Sequence, residues 1–257
     1  MSDEAARLAE ADVVRVRAEN PGPLTLSGTN TWVYGRDPAY VIDPGPRLAA
    51  HLDAVEAAVR GRGGLGAILV THDHGDHVEA LSALRERLGG PVAGARGAVD
   101  VVLGDGDELG PLRALATPGH APDHLAFVAG PIAFTGDAVL GEGSVFIAPD
   151  EGALAGYLDG LARLRALEPR ALLPGHGPPV WDAAAKLDEY VAHRLERERR
   201  LVEALEAGRR SVPELLDYAW SDVPDGLRPA AAATLAAHLD KLAGEDRLPD
   251  GVQRPGR

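Results

Sequence analysis

The chain has 257 residues, no cysteine, and 26 basic against 39 acidic side chains, which gives a formal net charge of −13. This length allows one large domain or two unequal ones, with a substantial hydrophobic core. The lack of cysteine excludes a disulfide scaffold, a thiolate-ligated zinc site and a thiol nucleophile.

The apolar runs of the sequence are short. None has the length of a membrane span, and the acidic beginning of the chain lacks the charged and apolar regions of a secretory signal. We therefore expect a cytoplasmic protein with no membrane partner. The acidity also argues against duplex DNA as a partner, because Lys and Arg drive phosphate binding.

The pattern of apolar residues predicts alternating strands and helices in the first part of the chain. Strands are predicted at 31–34, 40–42, 67–70, 91–93, 112–116, 125–128, 132–134 and 171–173. Helices are predicted at 47–60, 78–88 and 152–167, and then, without further strands, at 182–207, 212–219 and 229–242. This change predicts a larger α/β domain at 1–182 and a helical, winged-helix-like domain at 183–257.

The most informative segment is Thr71-His72-Asp73-His74-Gly75-Asp76-His77, directly after a predicted buried strand. Alternate residues of a loop can point the same way, so one loop can offer His72 and His74 to one metal ion and Asp76 and His77 to a second. Further candidates each follow an apolar strand and adjoin a glycine: His120, Asp137 and His176. Together these residues predict a two-metal hydrolytic site.

The donor types restrict the metal. Imidazole and carboxylate ligands without thiolate favour zinc, two ions per chain, with iron or manganese as alternatives. Zinc lowers the pKa of a bound water to about 7, so a hydroxide shared by two ions can act as the nucleophile. The two carboxylates of the set, Asp76 and Asp137, are the catalytic candidates.

The His-x-His-x-Asp-His run with its later partners resembles the metallo-β-lactamase superfamily. Four other segments resemble in particular the β-lactamase-like protein 2 family: Gly28-Thr-Asn-Thr-Trp, Ile42-Asp-Pro-Gly, Pro118-Gly-His and Pro174-Gly-His-Gly. The resemblance implies an αββα sandwich of two mixed sheets flanked by helices, with the site at one edge. It also implies how the ligands divide: His72, His74 and His120 at one zinc, Asp76, His77 and His176 at the other, and Asp137 between them.

The resemblance leaves the substrate open. Such proteins include a single-strand-specific endoribonuclease, and relatives of the glyoxalase II type split thioesters. We therefore expect a hydrolase, monomeric or homodimeric, that acts on single-stranded RNA or on a small thioester, ester or lactone. A non-catalytic metal-binding scaffold is the less favoured alternative, because such proteins typically lose ligands and this chain has kept them.

Three polar residues near the motifs have two interpretations each. Asp43 either orients a metal ligand or closes a turn. Asn30 either contacts the substrate or the ligand loop, or serves a structural turn. His124 either reaches the site or bonds a backbone group. The remaining histidines, on predicted helices, are assigned surface or packing roles: His51, His193 and His238.

The charge of the C-terminal helices is nearly balanced. Residues 183–257 carry a net charge of −2 and residues 1–182 carry −11, part of which two divalent ions would neutralise. Arg and Glu alternate over residues 194–200, which is typical of a solvated, salt-bridged helix face. The third C-terminal helix offers only Arg228 and Lys241 for phosphates, so we expect these helices to wall the cleft or contact a partner subunit.

Overall fold

The first of two β-sheets has six strands. A computed structural model describes residues 3–256 of the chain. The strands follow each other in the sheet in chain order: β1 (Val13–Arg17), β2 (Asn30–Tyr34), β3 (Ala39–Ile42), β4 (Leu65–Leu69), β5 (Val92–Gly94) and β6 (Val101–Val102). The first three strands pair antiparallel, and β3 to β6 pair parallel, so the sheet is mixed.

The second sheet has five strands and is also mixed. They are β7 (Glu108–Leu109), β8 (Leu112–Ala116), β9 (Leu125–Ala129), β10 (Ile132–Gly136) and β11 (Ala171–Pro174), in reverse chain order across the sheet. β7 to β10 pair antiparallel, whereas β10 and β11 are parallel. A parallel pair needs a crossover connection, and here it contains a long helix.

Helices cover the outer faces of both sheets and form the C-terminal part of the chain. They are α1 (Asp3–Glu10), α2 (Ala49–Arg60), α3 (Gly75–Val78), α4 (Leu81–Leu88), α5 (Ala153–Ala166), α6 (Ala183–Glu206), α7 (Val212–Ala219) and α8 (Arg228–Gly244). A 3₁₀ turn, Asp225–Leu227, precedes α8. Among the helices of residues 3–256, none combines the length and apolar character needed to cross a membrane.

The hydrophobic core lies in layers on either side of each sheet. Successive side chains of a strand point to opposite faces, so Trp32 and Phe134 lie between the sheets while Val33 and Ala133 face the outer helices. Strands β4, β9, β10 and β11 are largely apolar and lack the alternation of a half-exposed sheet, because both of their faces are covered, whereas β1 carries Arg15 and Arg17. The predicted αββα sandwich is therefore confirmed, with Trp32 in its core.

The structure adds elements that the sequence pattern did not predict. These are α1 and the strands β1, β6 and β7, two of which have only two residues. The predicted helix at 78–88 begins earlier and is divided into α3 and α4, so that Asp76 and His77 lie in the first turn of α3. The metal motif therefore ends inside a helix.

The C-terminal helices have a core of their own. The second half of α6 packs with α7 and α8 around apolar side chains, among them Leu201, Leu215, Trp220 and Leu235. The first half of α6 packs instead on α5, through Leu187 in the core outside the second sheet. Residues 183–256 hold helices and no strand. The helical prediction is thus confirmed, and the winged-helix likeness and the domain boundary stay predictions.

Phe134 tests the core between the sheets. Its side chain is completely buried, with its ring 5.7 Å from that of Tyr34. We expect Phe134→Ala to lower the free energy of unfolding by about 3–5 kcal/mol, because it leaves a cavity between two fixed sheets. Leu195→Ala, at a side chain that is 51% exposed, should change it by less than about 0.5 kcal/mol. Urea unfolding of both metal-free variants measures the difference, and equal losses would contradict this packing.

Candidate metal centre

Five loops meet at one edge of the sandwich: four of them carry the predicted ligands, and the loop after β3 carries Asp43. They follow β3, β4, β8, β10 and β11. Because β3 and β4 are parallel, as are β10 and β11, the carboxyl ends within each pair face the same edge. The loops bring seven predicted residues together: His72, His74, Asp76, His77, His120, Asp137 and His176.

The first group of donors consists of three imidazoles. Nδ1 of His74 lies 2.9 Å from Nε2 of His72 and 3.0 Å from Nε2 of His120. All three nitrogens lie within 4.8 Å of one another, a separation that allows them to bind one ion. His72 and His120 are buried, whereas His74 is partly accessible from the cavity described below.

The second group combines a carboxylate with two imidazoles. Nε2 of His176 lies 3.3 Å from Nε2 of His77 and 3.2 Å from Oδ2 of Asp76. The same carboxylate oxygen is 3.4 Å from Nε2 of His77. These three atoms also fall within 4.8 Å of one another, so they form a second candidate set.

Asp137 lies between the two groups. Its Oδ2 is 3.5 Å from Nε2 of His120 and 3.4 Å from Nε2 of His176, and its Oδ1 is 3.5 Å from Nε2 of His77. This Oδ1 is buried and accepts no hydrogen bond from residues 3–256. A buried carboxylate oxygen without a donor is costly, and a bound cation would satisfy it.

Hydrogen bonds behind the donors fix how two of the imidazoles are protonated. The Thr71 hydroxyl donates to Oδ2 of Asp43 at 2.8 Å, so it accepts from Nδ1 of His72 at 2.9 Å. Nδ1 of His77 donates to the same Asp43 oxygen at 3.0 Å. In their neutral forms, which metal binding requires, both rings therefore carry the proton on Nδ1 and direct the lone pair of Nε2 into the cluster.

His124 lies behind the cluster and contacts the loop that carries Asp137. Its Nε2 accepts the backbone N–H of Asp137 at 3.1 Å, and its Nδ1 donates to the Thr117 hydroxyl at 2.8 Å. Both ring nitrogens of His124 are therefore engaged in hydrogen bonds within the protein and do not face the cavity. His120 is fixed separately, because its Nδ1 donates to the carbonyl of Phe146 at 3.3 Å.

Asn30 holds the loop of His176. Its side-chain amide donates to the carbonyls of Pro174 at 3.0 Å and Gly177 at 2.8 Å, on both sides of that histidine. Its neighbour Thr29 donates to Oδ2 of Asp76 at 3.0 Å. Thr29 and Thr71 were missed by the sequence analysis, although each directly adjoins a predicted site residue.

Burial and mutual charge shift the pKa values of the acidic donors. Burial raises the pKa of Asp76, but the hydrogen bond from His176 and the charge of His77 outweigh it and lower the pKa to about 2. Burial also raises the pKa of Asp137, but the interactions with His77, His176 and His120 outweigh burial and hold this pKa well below its ordinary value. Both carboxylates are therefore ionised at neutral pH.

The imidazoles separate into two classes. Burial lowers the pKa of His120 to about 4 and depresses that of His72 strongly. Burial also opposes the charged forms of His77 and His176, but Asp137 and the other carboxylates nearby raise their pKa values to about 8 and about 10. In the chain without ions, protons therefore balance the carboxylates, and a metal ion would have to displace these protons on binding.

A cavity of about 820 Å³ extends from the donor cluster to the C-terminal helices. The donors His74, Asp76, His120 and His176 lie in its wall. Its apolar lining includes Leu24, Leu140, Val145, Phe146, Trp220 and Leu227, and parts of α6 and α8 close it on one side. The C-terminal helices thus form a wall of the cleft, which is one of the two roles expected for them.

One prediction about α6 is wrong. The Arg and Glu residues at 194–200 do not all lie on a solvated face, because Arg194, Arg197 and Glu198 are buried, with exposed fractions of 2%, 6% and 8%. Arg199 is exposed and pairs with Glu196, as predicted. His193, for which we expected a packing or surface role, lies in the cavity wall beside Arg194.

Known sequences resemble this chain over most of its length. The family model for a β-lactamase superfamily domain matches residues 39–147. A β-lactamase-like protein 2 homolog of Caenorhabditis elegans is 29% identical over 250 residues, which cover 90% of this chain and 83% of that protein. An atrochrysone carboxyl ACP thioesterase of Aspergillus chevalieri is 34% identical over 267 residues, which cover 94% of this chain and 85% of that protein.

Solved structures share the fold. A β-lactamase domain protein from Burkholderia ambifaria superposes with a TM-score of 0.74 at 21% identity, covering 94% of this chain and 90% of its own. The protein TTHA1623, crystallised in a di-iron-bound form, superposes with a TM-score of 0.55 at 30% identity and covers 66% of this chain and 96% of its own. The first match spans both the sandwich and the C-terminal helices.

Gly175 tests how tightly the loops are packed. A Cβ at this position would lie 2.6 Å from Oδ1 of Asp137 and 2.7 Å from Cε1 of His77, and Gly175 is held by backbone bonds to Gly136 and Asn30. We expect Gly175→Ala to destabilise the metal-free protein by about 1–3 kcal/mol, because neither the packed side chains nor the bonded backbone can move away from the added methyl group.

Gly244→Ala is the matched control. A Cβ there meets nothing within 4 Å, at the end of α8. It should leave the free energy of unfolding unchanged or raise it by up to about 1 kcal/mol. If urea unfolding gives the same stability for Gly175→Ala and the unaltered chain, the described convergence of loops is incorrect.

Proposed function

The chain belongs to the metallo-β-lactamase superfamily, and on this basis we propose that it is a two-metal hydrolase of thioesters or related esters with a largely apolar acyl group. The observation that carries this proposal is the apolar cavity that begins at the seven converging donors. Superfamily membership favours a hydrolase, and the cavity favours the substrate class.

The metal ligands follow from the two groups of donors. We assign His72, His74 and His120 to one ion and Asp76, His77 and His176 to the other, with Asp137 shared between them. The fit rests on the lone pairs that the hydrogen bonds of His72, His77 and His120 direct inward, and on the unpartnered Oδ1 of Asp137. The donor set suits zinc, and iron is the alternative, as in the relative crystallised with two iron ions.

Two divalent ions held by these residues would supply an activated water near neutral pH and polarise the carbonyl that it attacks. Residues of the chain itself position the metal ligands. Asp43 orients His77 directly and His72 through Thr71, and His124 holds the backbone of Asp137. We therefore assign Asp43, Thr71 and His124 positioning roles and Asn30 the role of fixing the His176 loop.

The cavity favours a small acyl compound over a polymer. Its lining is mainly apolar, and residues of α6 and α8 form part of its wall. The relative from Aspergillus chevalieri is named a thioesterase. A polynucleotide would instead need basic side chains along a groove for its phosphates. Single-stranded RNA is kept as an alternative outcome of the assay below.

Asp43→Asn tests the orientation of the ligands. The substitution places an amide N–H₂ where Oδ2 now accepts from Thr71 and His77, so the Nδ1 proton of His77 loses its acceptor. We expect metal affinity to fall about 10–100-fold, most strongly at the ion held by His77. Chelator competition followed by metal analysis measures both affinities.

Asp53→Asn is the matched control, because Asp53 is exposed and pairs with Arg87 on the outer surface. It should leave both metal affinities unchanged. Unaltered affinities in Asp43→Asn would contradict the positioning role. A protein that binds no more than one zinc ion per chain at saturation would contradict the two-metal proposal.

The substrate class is tested by offering alternatives to the zinc-loaded protein. We expect kcat/KM for an octanoyl thioester of N-acetylcysteamine to exceed that for the acetyl thioester by about 10–100-fold, the effect of burying about two to three of its six additional CH₂ groups at about 0.8 kcal/mol each. A medium-chain lactone and a labelled single-stranded RNA oligomer are assayed beside them. Asp76→Ala should abolish turnover, which excludes a contaminating hydrolase.

Two outcomes would overturn this proposal. One is cleavage of RNA that depends on Asp76 while the thioesters remain intact, which would support the endoribonuclease. The other is equal turnover of octanoyl and acetyl thioesters, because it would mean that the apolar cavity does not receive the acyl group.

A further inference from the structure

Arg194 is a buried cation in the wall of the cavity. Its side chain, in the first half of α6, is 2% exposed. It donates a hydrogen bond to the carbonyl of Val145, and its guanidinium lies 5.5 Å from the ring centroid of Tyr157. Within residues 3–256, no carboxylate oxygen lies within 4.0 Å of its nitrogens, and its buried Nε has no hydrogen-bond partner. The charge is therefore not balanced by an ion pair.

The other buried arginines of the chain are paired. Arg62 donates to the carboxylate of Asp12 at 2.8 Å and to two backbone carbonyls. Arg197, one helical turn after Arg194, makes two bonds of 2.6 Å to Asp222. A buried charge without a partner is costly, so a position that retains one is expected to receive its counter-charge from a ligand.

His193 adds a second donor next to Arg194. Nε of Arg197 donates to Nε2 of His193 at 3.3 Å, which places the histidine proton on Nδ1. This Nδ1 is buried and has no partner among the described residues. Burial and the charges of Arg194 and Arg197 lower the pKa of His193 to about 4, so the ring is neutral and can only donate there.

Carboxylates in the same cavity wall do not supply the missing charge. Asp222 is held by Arg197, and Glu189 by Lys186 at 2.9 Å. Glu142, on the loop after β10, and the donor-cluster residues Asp76 and Asp137 also line the cavity, but all three lie farther than 4.0 Å from Arg194. The positive charge of Arg194 is therefore available to a group that enters the cavity.

The position of Arg194 relates it to the donor cluster. Val145, whose carbonyl it contacts, precedes Phe146, and the ring of Phe146 packs 4.6 Å from that of His120. Apolar side chains thus lie between the donors and Arg194 along one cavity. We propose that Arg194 binds a carboxylate at the far end of the acyl group, so that the enzyme acts on monothioesters of dicarboxylic acids. This proposal rests on the proposed function.

Activity is measured on pairs of substrates that differ only in this charge. N-acetylcysteamine monothioesters of dicarboxylic acids with four to ten carbons are compared with their methyl esters. We expect the best free acid to exceed its methyl ester about 10–100-fold in kcat/KM, the effect of one charged hydrogen-bonded contact. Arg194→Met should remove this preference, so that the free acid and its methyl ester have similar kcat/KM, and Arg194→Lys should retain part of it.

Arg199→Met is the matched control, on the same helix at an exposed residue outside the cavity wall. It should keep the full preference. If Arg194 only braces the Val145 carbonyl, Arg194→Met will lower turnover of acid and methyl ester equally, and the proposal is then wrong. If the unaltered protein hydrolyses the free acids no better than their methyl esters, this result alone contradicts the proposal.

A binding experiment separates this proposal from the proposed function. Hexanoate and, as the neutral comparison, hexanamide are titrated into the metal-free protein in a calorimeter. No metal ion is then present to bind the carboxylate. We expect hexanoate to bind at least tenfold more tightly than hexanamide, with the difference lost in Arg194→Met and kept in Arg199→Met. If no thioester is hydrolysed, this result still supports the anion site while the proposed function fails. Equal binding of the two ligands overturns the anion site.

Discussion

The site depends on the hydrogen bonds that hold the two sheets together at one edge. Asn30 at the start of β2 donates its side-chain amide to both flanks of the His176 loop, and its backbone N–H bonds Gly175. Trp32 donates from Nε1 to the carbonyl of Pro174 at 3.0 Å. On the other side, the backbone N–H of Leu125 bonds the carbonyl of Thr71. The donors come from both sheets, so their convergence requires these cross-sheet bonds.

The same constraint explains which parts of the site could be predicted. His72, His74, Asp76 and His77 lie within six residues, and their chemistry is visible in the local sequence. His120, Asp137 and His176 were found because each follows an apolar strand beside a glycine. The hydrogen-bond partners of Asn30 and His124 could not be derived from the sequence, because they depend on which loop each side chain meets in the folded protein.

The fold shows a similar division. Strands buried on both faces gave apolar runs that the sequence pattern located, whereas β6 and β7, with two residues each, carry too short a pattern. Arg194 and Arg197 were predicted to be solvated, because their alternation with Glu is typical of an exposed helix. Their burial depends on the packing of α6 against α5 and α7, which no local pattern records.

The distribution of charge connects these observations. The surface of the chain is acidic, with a net charge of −13, and would repel anions at a distance. Inside the cavity the balance differs, because two divalent ions would offset the carboxylates of the donor cluster and Arg194 adds an unpaired positive charge. A strongly anionic polymer would meet mainly the surface, whereas a small acyl compound with one carboxylate would meet mainly the interior. The acidic composition therefore disfavours an anionic polymer as substrate more than it disfavours a small acyl compound with one carboxylate.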